Sequence, residues 1–317
     1  MLEALKFVQG SVAKKEFIPA LTHFVIENHT VRGYNGVIAL SSQIPFDIAC
    51  KPRAEALIKA IGSCDSTVQL SLTQAGRLSV RSGKFRALVE CVDGPTPHAV
   101  PGGIACPVDG PALLAGLRAV APFIGEDSAR PWCQGVLLRG PSIYATNNVT
   151  LVEYWAGSTL PVVVTLPKAT VKELLRIDEP PLHAQYDASS VTFHYGAGKW
   201  LRSHLLPNDW PDLSRILDVA ANPVEVSPEL FSALAIVKPF VNKNGAVRFT
   251  SDGIQTHTTI EEGAAYELDG LFSHGVFNLN MLNLLKGVAL TADFSTYPKP
   301  CLFFGERLRG AIVGLRE

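Results

Sequence analysis

The sequence predicts an α+β fold built from three copies of one unit, each a set of antiparallel strands with helices on one face. Three observations predict it. A short apolar helix ending in a cation runs at once into alternating strands in KPRAEALIKAIG (51–62), LPKATVKELLRI (166–177) and LNMLNLLKGVAL (279–290). Lys59, Arg176 and Lys286 fall at matching points of these segments, and the strand sets behind them turn near Gly83, Gly198 and Gly305. A second amphipathic helix opens the later units, in 108–124 and 226–241, entered through Asp109-Gly110-Pro111 and Ser227-Pro228 with proline at the first helical position. A period near one hundred residues is a repeat of domain size, and it divides the chain into 1–104, 105–220 and 221–317.

Within the first unit LKFVQGSV reads as a strand, AKKEFIPAL offers only a stub of helix before Pro19, and FVIENHTVRGYNGVIAL supplies a strand pair. In the second, residues 132–157 alternate through turns at Gly140-Pro141 and Asn147-Asn148. The third alternates through the hairpin signal Asp252-Gly253. Unit boundaries fall in the Pro/Gly-rich stretch 93–107 and the link 219–223.

Composition is that of an ordered globular protein: 317 residues, 47% hydrophobic and 18% charged. The N-terminus lacks the pattern of a secretory signal, and the apolar runs stop short of the roughly 18 residues a spanning helix needs, so a cytoplasmic protein without membrane contact is expected. Six cysteines without a CxxC or Cys/His cluster read as reduced thiols, with no metal and no cofactor implied. Catalytic and nucleotide motifs are missing, and Gly196-Ala197-Gly198-Lys199-Trp200 lies between two strands, so it reads as a hairpin turn rather than a phosphate loop. The expectation is a protein that is not an enzyme.

Net charge is −1, yet the six segments read as helical (14–21, 51–62, 110–122, 166–177, 227–243, 279–287) sum to +8, leaving −9 for strands and loops. Helices gathered on one face would make that face basic, a pattern suited to a phosphate backbone.

The segment from Gln134 to Ile216 resembles the middle domain of the bacterial DNA polymerase III beta subunit, the sliding clamp. Three motifs carry the resemblance, in order: Ala145-Thr146-Asn147-Asn148-Val149-Thr150-Leu151 where the family has Ala-Thr-Asp-Gly-His-Arg-Leu, Leu166-Pro167-Lys168 at a helix start, and Trp210-Pro211-Asp212-Leu213 where it has Phe-Pro-Asp-Tyr. Weaker likeness extends to Val80-Arg81-Ser82-Gly83 and to the C-terminal Ile312-Val313-Gly314-Leu315-Arg316-Glu317. The chain departs from the family in its reduced first helix, in Val149-Thr150 for His-Arg, and in Glu317 for a terminal leucine.

This resemblance implies three clamp-type domains whose chains join head to tail as a homodimeric ring around double-stranded DNA. Its channel would use Lys59, Arg118, Arg130, Lys168, Lys172, Arg176, Lys238, Lys243 and Lys286, backed by Lys14 and Lys15, with Trp132 beside Arg130 at an aromatic position near the DNA. A groove for short linear peptides of a DNA polymerase and a clamp loader would comprise Cys133, Thr146, Asn148, Leu151, Pro211, Arg215, Ile216, Val313, Leu315 and Arg316. Phe85, Val89, Phe240 and Val241 would meet at the dimer interface. The alternative is a clamp-shaped decoy or scaffold that binds replication factors without encircling DNA.

Overall fold

The first segment corrects the sequence reading. In a computed structural model, which describes residues 1–14, 17–65, 67–127, 129–257, 262–268 and 274–316, LKFVQGSV (5–12) is no strand: it holds the end of helix α1 (Leu2–Val8) and a 3-10 turn, Gln9–Ser11. Leu2, Leu5 and Val8 recur at every third position, and this helical spacing outweighs the β-branched tail. The opening helix is thus present but short, and Pro19 starts a separate 3-10 turn, Pro19–Thr22. Lys15 and Glu317 lie outside the described residues.

One compact unit comprises residues 1–114 and 169–205. Its strands β1 (Val25–Glu27), β2 (Thr30–Tyr34) and β3 (Ile38–Gln43) form a meander, the first turn made by Asn28 and His29, both at positive φ. Helix α2 (Ala54–Gly62) buries Leu57, Ala60 and Ile61 and leads into the separate sheet of β4 (Gln69–Leu72), β5 (Leu78–Ser82) and β6 (Phe85–Val89), with Gly83 at φ +54 in its last turn. β7 (Ile104–Pro107) comes from inside the Pro/Gly-rich boundary stretch, and α3 (Gly110–Val120) follows.

The other unit comprises residues 115–168 and 206–317. Its strands β8 (Gly135–Arg139), β9 (Ser142–Thr146) and β10 (Thr150–Trp155) turn at the predicted Gly140-Pro141 and Asn147-Asn148, and β11 (Val164–Pro167) pairs with β8. Helix α4 (Lys168–Ile177) then leads to β12 (His183–Tyr186), β13 (Ser190–His194) and β14 (Trp200–His204). A turn at Gly196–Gly198, with Ala197 at φ +55, joins the last two, as the hairpin reading predicts.

These strands complete a seven-stranded sheet of the first unit, ordered β1-β2-β3-β14-β13-β12-β7. Strands β3 and β14 pair from Ser41 opposite Trp200 to Ile38 opposite Ser203. A sheet confined to each sequence repeat is therefore not what forms.

The last third of the chain contributes α5 (Ser214–Leu217), β15 (Val224–Glu225) and α6 (Pro228–Val237), the latter capped by Ser227 accepting from the Glu229 N–H. Then come β16 (Ala246–Thr250), β17 (Gly253–Gln255), β18 (Ala265–Glu267) and β19 (Gly275–Asn278), a four-stranded sheet ordered β18-β17-β16-β19. Helix α7 (Leu279–Asn283) precedes β20 (Thr291–Ala292), β21 (Cys301–Gly305) and β22 (Leu308–Ile312). The larger sheet here is β11-β8-β9-β10-β22-β21-β20-β15, in which β10 and β22 pair from Thr150 opposite Ile312 to Tyr154 opposite Leu308.

Helix α7 is shorter than the predicted 279–290. Turn hydrogen bonds take over after Asn283, and Gly287 at φ +71 ends the segment, so Lys286 sits in a turn and not on a helix.

Candidate functional site

A cleft of about 130 Å³ opens in the second unit, between the β9–β10 turn, the 211–216 segment and the end of β22. Local hydrogen bonds build the turn. The Asn147 side chain accepts from the Val149 and Thr150 N–H groups (3.0 and 2.7 Å), Asn148 takes φ +71, and the Thr146 hydroxyl donates to the Thr150 carbonyl (2.7 Å). Beneath it Trp210 donates its indole N–H to the Thr165 hydroxyl (3.0 Å) and packs against Trp132, ring centroids 5.3 Å apart. Leu137, Leu151, Leu213, Leu217, Leu302 and Ala311 complete a buried cluster against which Ile216 rests.

A charged network braces the wall. Arg309 donates to Glu153 (2.6 Å), pairs with Asp218 (2.8 Å) and donates to the Leu217 carbonyl (3.3 Å), while Tyr144 donates to the other oxygen of Glu153 (2.8 Å). The end of α5 is thereby tied to β10 and β22. Desolvation pushes the Glu153 carboxyl up, but hydrogen bonds from Ser142, Arg309 and Tyr144 outweigh it and hold the group below its ordinary value. Burial and the adjacent carboxylate push the Tyr144 phenol to about 12. The braced charges keep their states near neutral pH, and the cleft they support is apolar, suited to side chains of an extended segment rather than to proton transfer.

Of the ten groove residues predicted, Thr146, Asn148, Leu151, Pro211, Ile216 and Val313 line this cleft. Four do not. Cys133 is fully buried, because the 3-10 turn that starts at Pro131 directs it inward, below the Asn148 amide (3.6 Å). Arg215 projects to solvent and pairs with Asp212 (3.3 Å). Leu315 and Arg316 lie beyond the cleft, where the Leu315 N–H bonds the Val276 carbonyl (2.7 Å). Trp132, Val149, Thr150, Leu213, Pro300 and Ala311 also line it and were absent from the predicted set.

The cations divide into two groups. Lys59 pairs with Glu55 (2.7 Å), Lys168 with Glu126 (2.7 Å) and Arg130 with Asp127 (3.9 Å). Arg176 is a structural tie: it binds the buried Glu173 (2.8 Å from Nε) and donates to the Phe7 carbonyl (2.8 Å), fastening α4 to α1. Glu173 in turn approaches Gly10 so closely that a Cβ there would fall 1.8 Å from its carboxyl oxygen. Exposed Lys172, Lys238, Lys243 and Lys286 have no carboxylate partner among the described residues, whereas Arg118 is exposed and engaged. The helices themselves carry less positive charge than expected. Within its bounds α2 holds one glutamate and one lysine; Lys51, Arg53, Lys243 and Lys286 lie outside helices, and Lys238 opens the short 3-10 helix Lys238–Phe240 after α6.

Among the interface residues, Val89 is 2% exposed and belongs to the core; the strand's alternation turns Leu88 outward instead, at 49%. Phe85 and Val241 are half-buried and Phe240 is exposed. All six cysteines are free thiols, as predicted. No helix among the described residues is long and apolar enough to cross a membrane.

Together the antiparallel sheets, the helices between their strands and the shared strand pairings define a clamp-type α+β fold. The chain matches the DNA polymerase III subunit beta of Pseudomonas aeruginosa with a TM-score of 0.85 at 19% identity, over 100% of this chain and 97% of that one. The DNA polymerase sliding clamp of Caulobacter crescentus gives 0.84 at 18% identity, and the beta subunit of the Streptococcus pyogenes DNA polymerase 0.79 at 20%, both with the same coverage. No protein-family model and no curated protein sequence matches the chain. Its fold is thus that of the bacterial sliding clamps, at no more than 20% sequence identity to these three.

Proposed function

We propose that the protein is a DNA sliding clamp, a non-catalytic processivity factor that encircles duplex DNA as a cytoplasmic homodimer of three-domain chains and tethers a replicative polymerase. The observation that carries this reading is the likeness to clamps over the whole chain. In such a ring topology holds the protein on DNA, and weak, water-mediated interactions with phosphates let it slide. Lys172, Lys238, Lys243 and Lys286 are the cations available for this task. Peptides of the polymerase and the clamp loader would dock in the cleft above the buried Trp210 cluster, their apolar side chains against Leu151, Ile216 and Val313. Phe85, Leu88, Phe240 and Val241 supply apolar surface for strand-to-strand joining of two chains.

The second reading, a clamp-shaped scaffold that does not encircle DNA, draws on one observation: four of the nine predicted channel cations are already neutralised by carboxylates. Light scattering separates the two. A ring requires the mass of two chains at working concentration, and a single-chain mass at every concentration would leave the scaffold.

A further inference from the structure

The two units solve one local packing problem differently. In the second, the Leu206 N–H bonds the Thr165 carbonyl (2.9 Å), and four residues on Trp210-Pro211-Asp212-Leu213 plugs the space over β8–β10 with an indole and a leucine. In the first, the Val92 N–H bonds the Lys51 carbonyl (3.0 Å) in the same way, and four residues on the chain reads Thr96-Pro97-His98-Ala99. Each frame also has a proline-initiated 3-10 turn before its meander, Pro131–Gln134 and Pro19–Thr22. Where Trp210 and Leu213 are buried, the first unit offers only a threonine and an alanine, and a cavity of about 300 Å³ remains.

The walls of this cavity specify chemistry. Pro97, Val25 and Ala99 are apolar, Lys51 and Arg32 are cationic, Glu27 is the one carboxylate of the lining, and His23 is 7% exposed. The His23 Nδ1 lies 2.7 Å from the Pro19 carbonyl, which only accepts, so Nδ1 carries the proton and Nε2 is a bare acceptor. That Nε2 is buried without a partner among the described residues. Arg32 is neutralised by Glu27, while Lys51 spends one N–H on the Gly94 carbonyl and keeps donors free. At the position of Thr165, whose hydroxyl accepts the Trp210 N–H, the first unit therefore holds Lys51, which donates and is positive.

We propose that this cavity binds a small aromatic anion: a flat ring in the place taken by the indole of Trp210, against Val25, Pro97 and Ala99, and an acidic oxygen on Lys51. A bare inorganic anion would leave the apolar walls unfilled, and the volume sits at the lower end of small-molecule sites.

Indole-3-acetate is the probe, with the uncharged indole-3-acetamide as its control, each titrated into the full chain by calorimetry. The acid is expected to bind with a dissociation constant below about 1 mM and at least about tenfold more tightly than the amide, as a charge-assisted hydrogen bond implies. Lys51→Met should reduce that preference to within about twofold. Thr96→Trp, which restores the plug of the second unit, should abolish binding and raise the melting temperature. Because that variant depends on correct folding, the imidazole nitrogen resonances of His23 in the unaltered chain provide a second readout, and saturation with the acid should shift them. No binding at 10-fold above about 1 mM, equal affinity for acid and amide, or unmoved His23 resonances would each overturn the proposal.

Discussion

The apolar cleft and the cationic set were read from the same sequence, yet the structure treats them in opposite ways. The cleft is assembled from packed side chains, lined by Trp132 with the buried Trp210 packed against it, and braced by the Glu153–Arg309–Asp218 network. The cations are dispersed, and the pairs at Lys59, Lys168, Arg130 and Arg176 already spend their charge inside the chain. Peptide docking would rest on shape that one substitution can ruin. DNA retention would rest on a diffuse field in which each residue matters little.

That contrast can be broken most sharply at the floor of the cleft. Trp210→Ala removes a buried indole together with its hydrogen bond to the Thr165 hydroxyl, and should cost about 3–5 kcal/mol in chemical denaturation. A loss below about 1 kcal/mol would mean that the cleft collapses freely around the gap. Next in size, Ile216→Asp should weaken a polymerase-tail peptide by about two orders of magnitude, the effect of losing a central apolar anchor. Arg215→Ala, one residue away but turned to solvent, should stay within about threefold. Equal losses in the two variants would show that the peptide does not use this wall.

The cationic side predicts smaller, additive effects. Neutralising Lys172, Lys238, Lys243 and Lys286 together should flatten the salt dependence of DNA binding, by about 0.9 in slope for each phosphate that a lysine no longer neutralises. Neutralising Lys59 and Lys168, already paired, should change the slope by less. The reverse order would dissolve the distinction between free and committed cations.

The smallest effect is a pH dependence at the brace. The Glu153 carboxyl is held below its ordinary value, so on acidification the folded chain binds its proton later than the unfolded chain does. Its contribution to stability is full above the unfolded value and is lost as pH falls through the folded one. Between about pH 5 and 3 the unaltered protein should therefore lose more stability than Glu153→Gln, and parallel curves would take Glu153 out of the brace.

The fold was largely legible because turn chemistry is local. Gly83, Gly140, Asn147-Asn148 and Gly196–Gly198 all sit in the hairpins that their residues predict. The cleft was legible where its residues are consecutive, from Thr146 to Leu151, or follow the Trp-Pro pair. Pro300 and Ala311 arrive through the pairing of β10 with β22, which no local pattern announces. Val89 and Leu88 differ by one position in a strand, and only the packed register decides which faces out. Helix spacing placed Arg176 three residues from Glu173, a signal of pairing that was available beforehand. That it would also reach the Phe7 carbonyl was not. The opening strand reading failed because it began at Leu5 and left out Leu2, whose helical spacing with Leu5 and Val8 outweighs the β-branched tail.

Electron microscopy of the purified protein tests encirclement most directly. The account predicts closed two-chain rings with a central hole wide enough for duplex DNA. A field of open, single-chain particles under the same conditions would contradict it.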